Sequence, residues 1–143
     1  MQTPKRSIGT KLSFALYGAA NRMSRLHKPL LDPLGLTFPQ YLAVLELLEE
    51  SPVPVGVLGA RLGMDTGTIT PLVKRLEVAG MVTRTRDPAD ERRVMVDLTA
   101  HGRSLEMPVR SVTSQIKTLC KLTDQDMYDL VLTLEALAHP APE

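Results

Sequence analysis

Between Gly63 and Leu98 a short, threonine-rich polar helix leads into two strand-like runs, parted by Asp87-Pro88-Ala89-Asp90-Glu91-Arg92-Arg93. A helix followed at once by a hairpin with an arginine tip is the order of a DNA-binding winged helix. A helix fits the major groove, and a hairpin beside it can place arginine in the adjacent minor groove. The chain on either side therefore has to support that unit.

Both flanks are helical by periodicity. Leu12, Leu16, Ala19, Met23, Leu26 and Leu30 recur at alternating spacings of four and three, the seam of a helix that packs lengthwise and ends near Pro33-Leu34-Gly35. Leu105, Val109, Val112, Ile116 and Leu119 repeat that spacing, with Pro108 expected to kink the helix. Met127, Leu130, Leu134 and Leu137 continue it after a break, where Thr123 is a good N-cap and Leu122 can staple against Met127. Two such seams carry more apolar surface than one small winged helix needs, and a homodimer would bury the surplus. The alternative is that both ends fold back over their own middle.

Within the middle zone, Pro39 opens a helix whose buried face is Tyr41, Val44, Leu45 and Leu48, and Ser51-Pro52-Val53-Pro54 stops it. A short helix carries Val55, Leu58 and Leu62 inward, with Gly56 and Gly59 permitting close packing. Gly63-Met64 turns, and Asp65 or Thr66 caps the next helix. Ile69, Leu72, Val73 and Leu76 hold that helix to the core, leaving Thr68, Thr70, Lys74 and Arg75 outside. Pro71 invites a tighter or kinked start. After Ala79-Gly80, Met81 to Arg86 and Val94 to Leu98 pair as antiparallel strands with Val94, Val96 and Leu98 inward, and Asp87 to Arg93 forms the wing.

Composition excludes several other classes. At 143 residues and 43% apolar content, the chain supports one sizeable core, hence a single domain. The absence of tryptophan and the scarcity of aromatics argue against a sugar or single-strand stacking platform. The single cysteine, Cys120, excludes an intrachain disulfide and a multi-cysteine zinc site, which fits a reducing compartment and makes the cytoplasm the expected location. Met1 to Lys11 is basic without a signal-peptide core, and no apolar run reaches the roughly 18 residues of a membrane span. No metal or cofactor is expected.

A formal net charge of +1 does not announce a polyanion partner, so the case rests on where the charges sit. Lys74, Arg75, Arg84, Arg86, Arg92 and Arg93 fall within one unit, a concentration expected to supply phosphate contacts to DNA, whereas Glu46, Glu49 and Glu50 lie on a preceding helix. Taken singly, Arg84 and Arg86 could be ordinary exposed strand residues, and Asp90 with Arg92 only a salt bridge stiffening the hairpin. A different class of reading makes the winged helix a protein-interaction module, which would lack a steep salt dependence.

Three segments carry a family resemblance: Leu36-Thr37-Phe38-Pro39-Gln40-Tyr41-Leu42, Met64-Asp65-Thr66-Gly67-Thr68-Ile69-Thr70-Pro71-Leu72-Val73-Lys74-Arg75-Leu76, and Thr83-Arg84-Thr85-Arg86-Asp87-Pro88-Ala89-Asp90-Glu91-Arg92. They resemble the MarR family of transcriptional regulators, within it the organic hydroperoxide (OhrR) branch, and the likeness runs from Leu12 to about Leu137. The resemblance implies a homodimeric repressor on a pseudo-palindromic double-stranded DNA site. It implies that Thr68, Thr70, Pro71, Lys74 and Arg75 face the major groove and that Arg92 enters the minor groove. Thr66 is included with them as a candidate contact.

The chain departs from that branch at its sensor. The branch carries Leu-Cys-Phe-Ala-Leu-Tyr where this chain reads Leu12-Ser13-Phe14-Ala15-Leu16-Tyr17, and its cysteine-binding tyrosines fall at His27 and Phe38. A serine hydroxyl cannot supply the thiolate that peroxide oxidises to a sulfenic acid. Three coordinated changes fit natural divergence better than a single engineered swap of cysteine for serine. Control is then expected from a small molecule such as an aromatic acid, bound between the dimerisation helices and the DNA-binding lobe. The alternative is a hydroperoxide response through Cys120, whose commoner fate is that of a small buried hydrophobe. His27 can be a neutral-pH switch, part of a ligand pocket or a simple polar residue on a helix face. Ser13 and His27 do not make a hydrolase, because their spacing puts them roughly 21 Å apart on one helix.

These readings give a mostly α fold with a small β-hairpin, a winged helix-turn-helix flanked by dimerisation helices. The expected segments are 10–36 for the N-terminal helix, 37–99 for the DNA-binding lobe and 100–143 for the C-terminal helices. The chain is expected to be a regulator and not an enzyme.

Overall fold

The computed structural model describes residues 5–142; Met1 to Pro4, at the head of the basic N-terminal stretch, lie outside the described residues. The elements run α1 Ile8–Leu31, a 3-10 turn Asp32–Leu34, α2 Phe38–Glu49, β1 Val53–Pro54, α3 Val55–Arg61, α4 Thr66–Val78, β2 Val82–Asp87, β3 Asp90–Leu98, α5 Ala100–Ser104, α6 Glu106–Leu119 and α7 Asp124–Ala138. The three strands form one antiparallel sheet in the order β1-β3-β2.

Most helices start where a side-chain oxygen meets an orphan amide. The Ser7 hydroxyl accepts from Thr10 N–H ahead of α1, and Thr123 accepts from Asp126 N–H ahead of α7. Thr37 opens α2 as a capping box: its hydroxyl accepts from Gln40 N–H while the Gln40 side chain accepts from Thr37 N–H. Gly35, at φ 69°, ends the 3-10 turn after α1 in the left-handed region that favours glycine.

The core lies in the middle of the chain. Val44, Leu47, Leu58, Val73, Leu76 and Val96 are fully buried, and Val109 adds to them from α6. Leu47 takes the innermost position on α2, with Leu45 and Leu48 only half-buried, because α1, α4, α6 and β3 enclose α2 on more than one side. Gly59 packs where a Cβ would come within 3.0 Å of Ile69 Cγ2 and of the Met64 carbonyl, so α3 docks closely on α4 there. Gly56 faces open space and serves no such purpose.

Several local expectations are corrected. Ser51 to Pro54 does not merely stop α2, since Val53 and Pro54 pair with Val96 and Met95 as a third strand. Pro54 takes the edge of that sheet, the strand position a residue without an N–H tolerates. The wing is shorter than Asp87 to Arg93: β3 begins at Asp90, and only Pro88 and Ala89 form the turn. Pro108 kinks no long helix. The chain breaks at Leu105 between α5 and α6, and Pro108 falls in the first turn of α6, where its missing N–H is not needed. α4 runs unbroken through Pro71, which sits on the exposed face, where water can satisfy the carbonyl it leaves unbonded.

The two ends differ from this middle. α1 forms with the expected seam, yet only His27 and Leu31 are buried, and Leu12 stays 50% exposed. α7 has no buried residue at all, with Leu130, Leu134 and Leu137 all exposed. α6 does pack back onto the middle through Val109, Val112 and Ile116. Folding back therefore accounts for α6, but not for α7 or the first half of α1.

Candidate nucleic-acid interface

The helix-turn-helix is built from α3 and α4. Gly63, at φ 68°, makes the turn, and the Asp65 carboxylate caps α4 by accepting from Thr68 N–H at 2.9 Å. This resolves the choice between Asp65 and Thr66 in favour of Asp65. Ile69, Leu72, Val73 and Leu76 face the core, while Thr66, Thr68, Pro71, Lys74 and Arg75 are exposed and Thr70 is half-exposed. Buried positions at steps of three and four leave the opposite face of α4 polar and basic.

At the other end of α4, Gly80 adopts φ 76°, and Met81 N–H bonds back to the Leu76 carbonyl at 2.9 Å. That pairing closes the helix and directs the chain straight into β2. Thr99 ties the end of β3 to the same corner, donating its hydroxyl to the Gly80 carbonyl and its N–H to that of Met81. The wing and α4 thus share an anchored corner.

An open groove of about 500 Å³ lies between them, lined by Thr66, Ile69 and Thr70 of α4, by Arg84, Arg92, Arg93 and Val94 of the hairpin, and by Pro54 to Val57. Helix and wing residues that are far apart in sequence meet on this one surface. Arg92 is held at the tip by Asp90, whose carboxylate accepts from its N–H and from its guanidinium at 3.1 Å. The Arg92 side chain is nevertheless 90% exposed. The suspected salt bridge exists, and it orients the arginine without withdrawing it from solvent. Arg92 also holds the Asp90 carboxyl below its ordinary value, first through the side-chain hydrogen bond and then through its backbone N–H.

The remaining basic residues are not equivalent. Lys74 and Arg75 make no ion pair among the described residues and project from α4. Arg86 donates to the Glu91 carbonyl at 2.8 Å, and Arg93 lies 3.8 Å from Asp87. Arg84 is half-buried, with Nη2 3.1 Å from Glu77 Oε1, and it holds the Glu77 carboxyl below its ordinary value. The acidic residues of α2 are paired away from this face: Arg61 meets Glu46 and Glu50, and Arg110 meets Glu49. Sequence reasoning missed Glu77, Arg61 and Arg110. Only Glu77 left a signal, a lone acid in the last turn of an otherwise basic helix.

The sensor equivalents are only partly assembled. His27 and Phe38 come together with ring centroids 4.2 Å apart, and Tyr41 lies 5.4 Å from His27. His27 is buried, and its Nδ1 sits 2.7 Å from the Met23 carbonyl; a carbonyl only accepts, so Nδ1 carries the proton. The Tyr41 hydroxyl bonds Thr113 of α6. Ser13 takes no part in this cluster. It is exposed near the start of α1 and donates to the Gly9 carbonyl at 3.2 Å. Cys120 is half-buried at the end of α6 and faces an apolar cavity of about 300 Å³ with Met23, Leu122, Met127 and Leu134.

Comparison with known proteins agrees with this geometry. A MarR family model matches residues 34–93, from the 3-10 turn to the wing. The chain is similar to the organic hydroperoxide resistance transcriptional regulator of Bacillus subtilis (strain 168), 39% identical over 130 residues, which cover 91% of this chain and 88% of that protein. Its fold matches reduced AbfR bound to DNA, from the AbfR of Staphylococcus epidermidis, with TM-score 0.79, 30% identity and coverage of 92% and 93% of the two chains. CouR from Rhodococcus jostii RHA1, bound to p-coumaroyl-CoA, is alike in fold at TM-score 0.80 and 24% identity, covering 97% and 99%. With a helix-turn-helix, a basic wing and these relatives along nearly its whole length, the chain belongs to the MarR family of DNA-binding transcriptional regulators.

Proposed function

We propose that the protein is a repressor that binds a pseudo-palindromic operator as a homodimer and is released by a small-molecule effector. The observation that carries this reading is the groove where Thr66 and Thr70 of α4 meet Arg92 and Arg93 of the wing, with Lys74 and Arg75 exposed along the same helix. On this reading Thr68, Thr70, Pro71, Lys74 and Arg75 contact the major groove, Arg92 enters the minor groove, and Arg86 and Arg93 meet phosphates. The uncovered seams of α1 and α7 supply the dimer contact, and two reading heads then sit about one helical turn, roughly 10 base pairs, apart. AbfR bound to DNA supports the DNA part of the reading.

The effector is a small molecule, such as an aromatic acid, bound between the outer helices and the DNA-binding lobe, and it shifts the spacing of the reading heads. Ser13 in place of a thiol, and the aromatic cluster of His27, Phe38 and Tyr41, tied to α6 through the Tyr41 hydroxyl, favour this over peroxide chemistry. CouR, alike in fold, carries p-coumaroyl-CoA. The test is fluorescence anisotropy of the purified protein on DNA from upstream of its own gene, against a panel of aromatic acids and an organic hydroperoxide. Release by an acid and not by the hydroperoxide is expected. Release by the hydroperoxide, abolished in Cys120→Ala, would transfer control to the cysteine instead.

A further inference from the structure

We propose that Arg84 is a positioning residue and not a DNA contact: with Glu77 it forms a brace that fixes the angle between the recognition helix α4 and the wing. The inference rests on the DNA-binding reading above and assigns a different task to one of its basic residues.

Three observations carry it. First, Arg84 stands on the inward face of the sheet, and its side chain is only partly exposed although it lines the groove. Along β2, Arg84 shares its face with the buried Val82 and lies opposite the fully buried Val96 of β3, while Thr83 and Thr85 take the exposed face. Second, its guanidinium is already engaged. Nη2 lies 3.1 Å from Glu77 Oε1, and Nε is buried with no hydrogen-bond partner. A side chain kept for phosphate would have no reason to bury a donor unsatisfied, since that costs free energy. Lys74, Arg75 and Arg92 show the contrasting arrangement, with their side chains in solvent. Third, the pair spans the corner where the helix passes into the wing. Glu77 is in the last turn of α4 and Arg84 follows just past the left-handed Gly80, so the ion pair links the two sides of the turn.

A brace and a phosphate contact differ in what they do to binding. A phosphate contact strengthens binding to every duplex and adds about 0.9 to the magnitude of the log-log salt slope. A brace adds nothing to that slope, because Glu77 already neutralises the arginine locally. It acts where helix and wing must enter adjacent grooves together, so it strengthens operator binding and leaves non-specific binding alone.

The experiment compares the full chain with Glu77→Gln, Arg84→Met and the swap Glu77→Arg/Arg84→Glu, titrating upstream DNA and a scrambled duplex at several salt concentrations. Glu77→Gln removes a negative charge from a DNA-binding lobe, so simple electrostatics would tighten binding to both duplexes. The brace predicts the opposite: about fivefold weaker operator binding, scrambled-duplex binding within about twofold of wild type, and an unchanged slope. Arg84→Met should behave like Glu77→Gln, and the swap should recover most of the operator affinity. Glu77→Gln binding as tightly as wild type, or Arg84→Met losing about 0.9 of slope on both duplexes, overturns the brace while leaving DNA binding intact. Failure of the swap to recover affinity while urea melts stay normal also overturns it. A wild-type protein that binds neither duplex overturns the functional reading, and the brace with it.

Discussion

The winged lobe and the outer helices of this chain are both amphipathic, yet α7 and the first half of α1 leave open the kind of stripe that the lobe and α6 bury. On α4 every apolar position of the inward stripe is covered, and the polar face that remains is the one proposed to read DNA. On α7 the same kind of stripe, Leu130, Leu134 and Leu137, lies open, as do Leu12 and Phe14 of α1. An amphipathic stripe states that a helix needs a partner surface, and nothing in its spacing says whether that surface belongs to the same chain. The lobe finds its partner locally because α2, α3, α4 and the sheet are joined by short turns. In the proposed dimer the termini meet an equivalent surface in a second copy.

The largest effect should come from breaking that difference at the ends. Leu130→Asp/Leu134→Asp should halve the molecular mass seen by analytical ultracentrifugation and weaken operator binding on the order of 10³-fold, since two linked heads gain 10²–10⁴ over one. An unchanged mass would mean that the stripe is not an interface. In the lobe, Leu76→Ala leaves a cavity in a closed core and should lower the unfolding free energy by about 3 kcal/mol in urea melts. A loss below about 1 kcal/mol would show that the lobe is less tightly packed than its burial indicates.

Smaller effects sharpen the picture of the reading face. Arg92→Ala should cost about tenfold at sites with a narrow A·T minor groove, whereas Lys74→Ala should weaken all sequences evenly and reduce the salt slope by about 0.9. Equal losses on every sequence for both would remove the wing from the minor groove. Asp65→Ala deletes the cap of α4 and should cost about 1 kcal/mol in the same melts. The least effect concerns pH. Arg92 depresses the pKa of Asp90, so whatever that carboxylate contributes is complete above its unfolded value of about 3.9 and is lost as the pH falls through its lowered pKa. Operator affinity should therefore vary no more between pH 5 and 8 in the wild type than in Asp90→Asn. A mid-range titration unique to the wild type would contradict this.

Much of the fold was legible because local physics agreed with the global arrangement. Thr123, Asp65 and Gly80 are chemically suited to the caps and turns they form, and the stripes on α4 and α6 have the helical period. What was missed depended on partners distant in sequence. Val53 and Pro54 are too short a run to read as a strand, and only Val96 and Met95 make them one. Pro108 reads as a kink unless Leu105 is known to end a separate helix. In the candidate site, the wing and helix residues were legible as types. The engagement of Arg84 was not, because an inward arginine on a strand looks like an outward one until Glu77 is placed beside it.

The most direct test of the whole reading is hydroxyl-radical footprinting of the full chain on the upstream duplex. The prediction is two protected patches on one face of the DNA, centred about one helical turn apart, with minor-groove protection where each wing reaches in. A single patch, or protection with no minor-groove component, would contradict a two-headed protein that reads with both helix and wing.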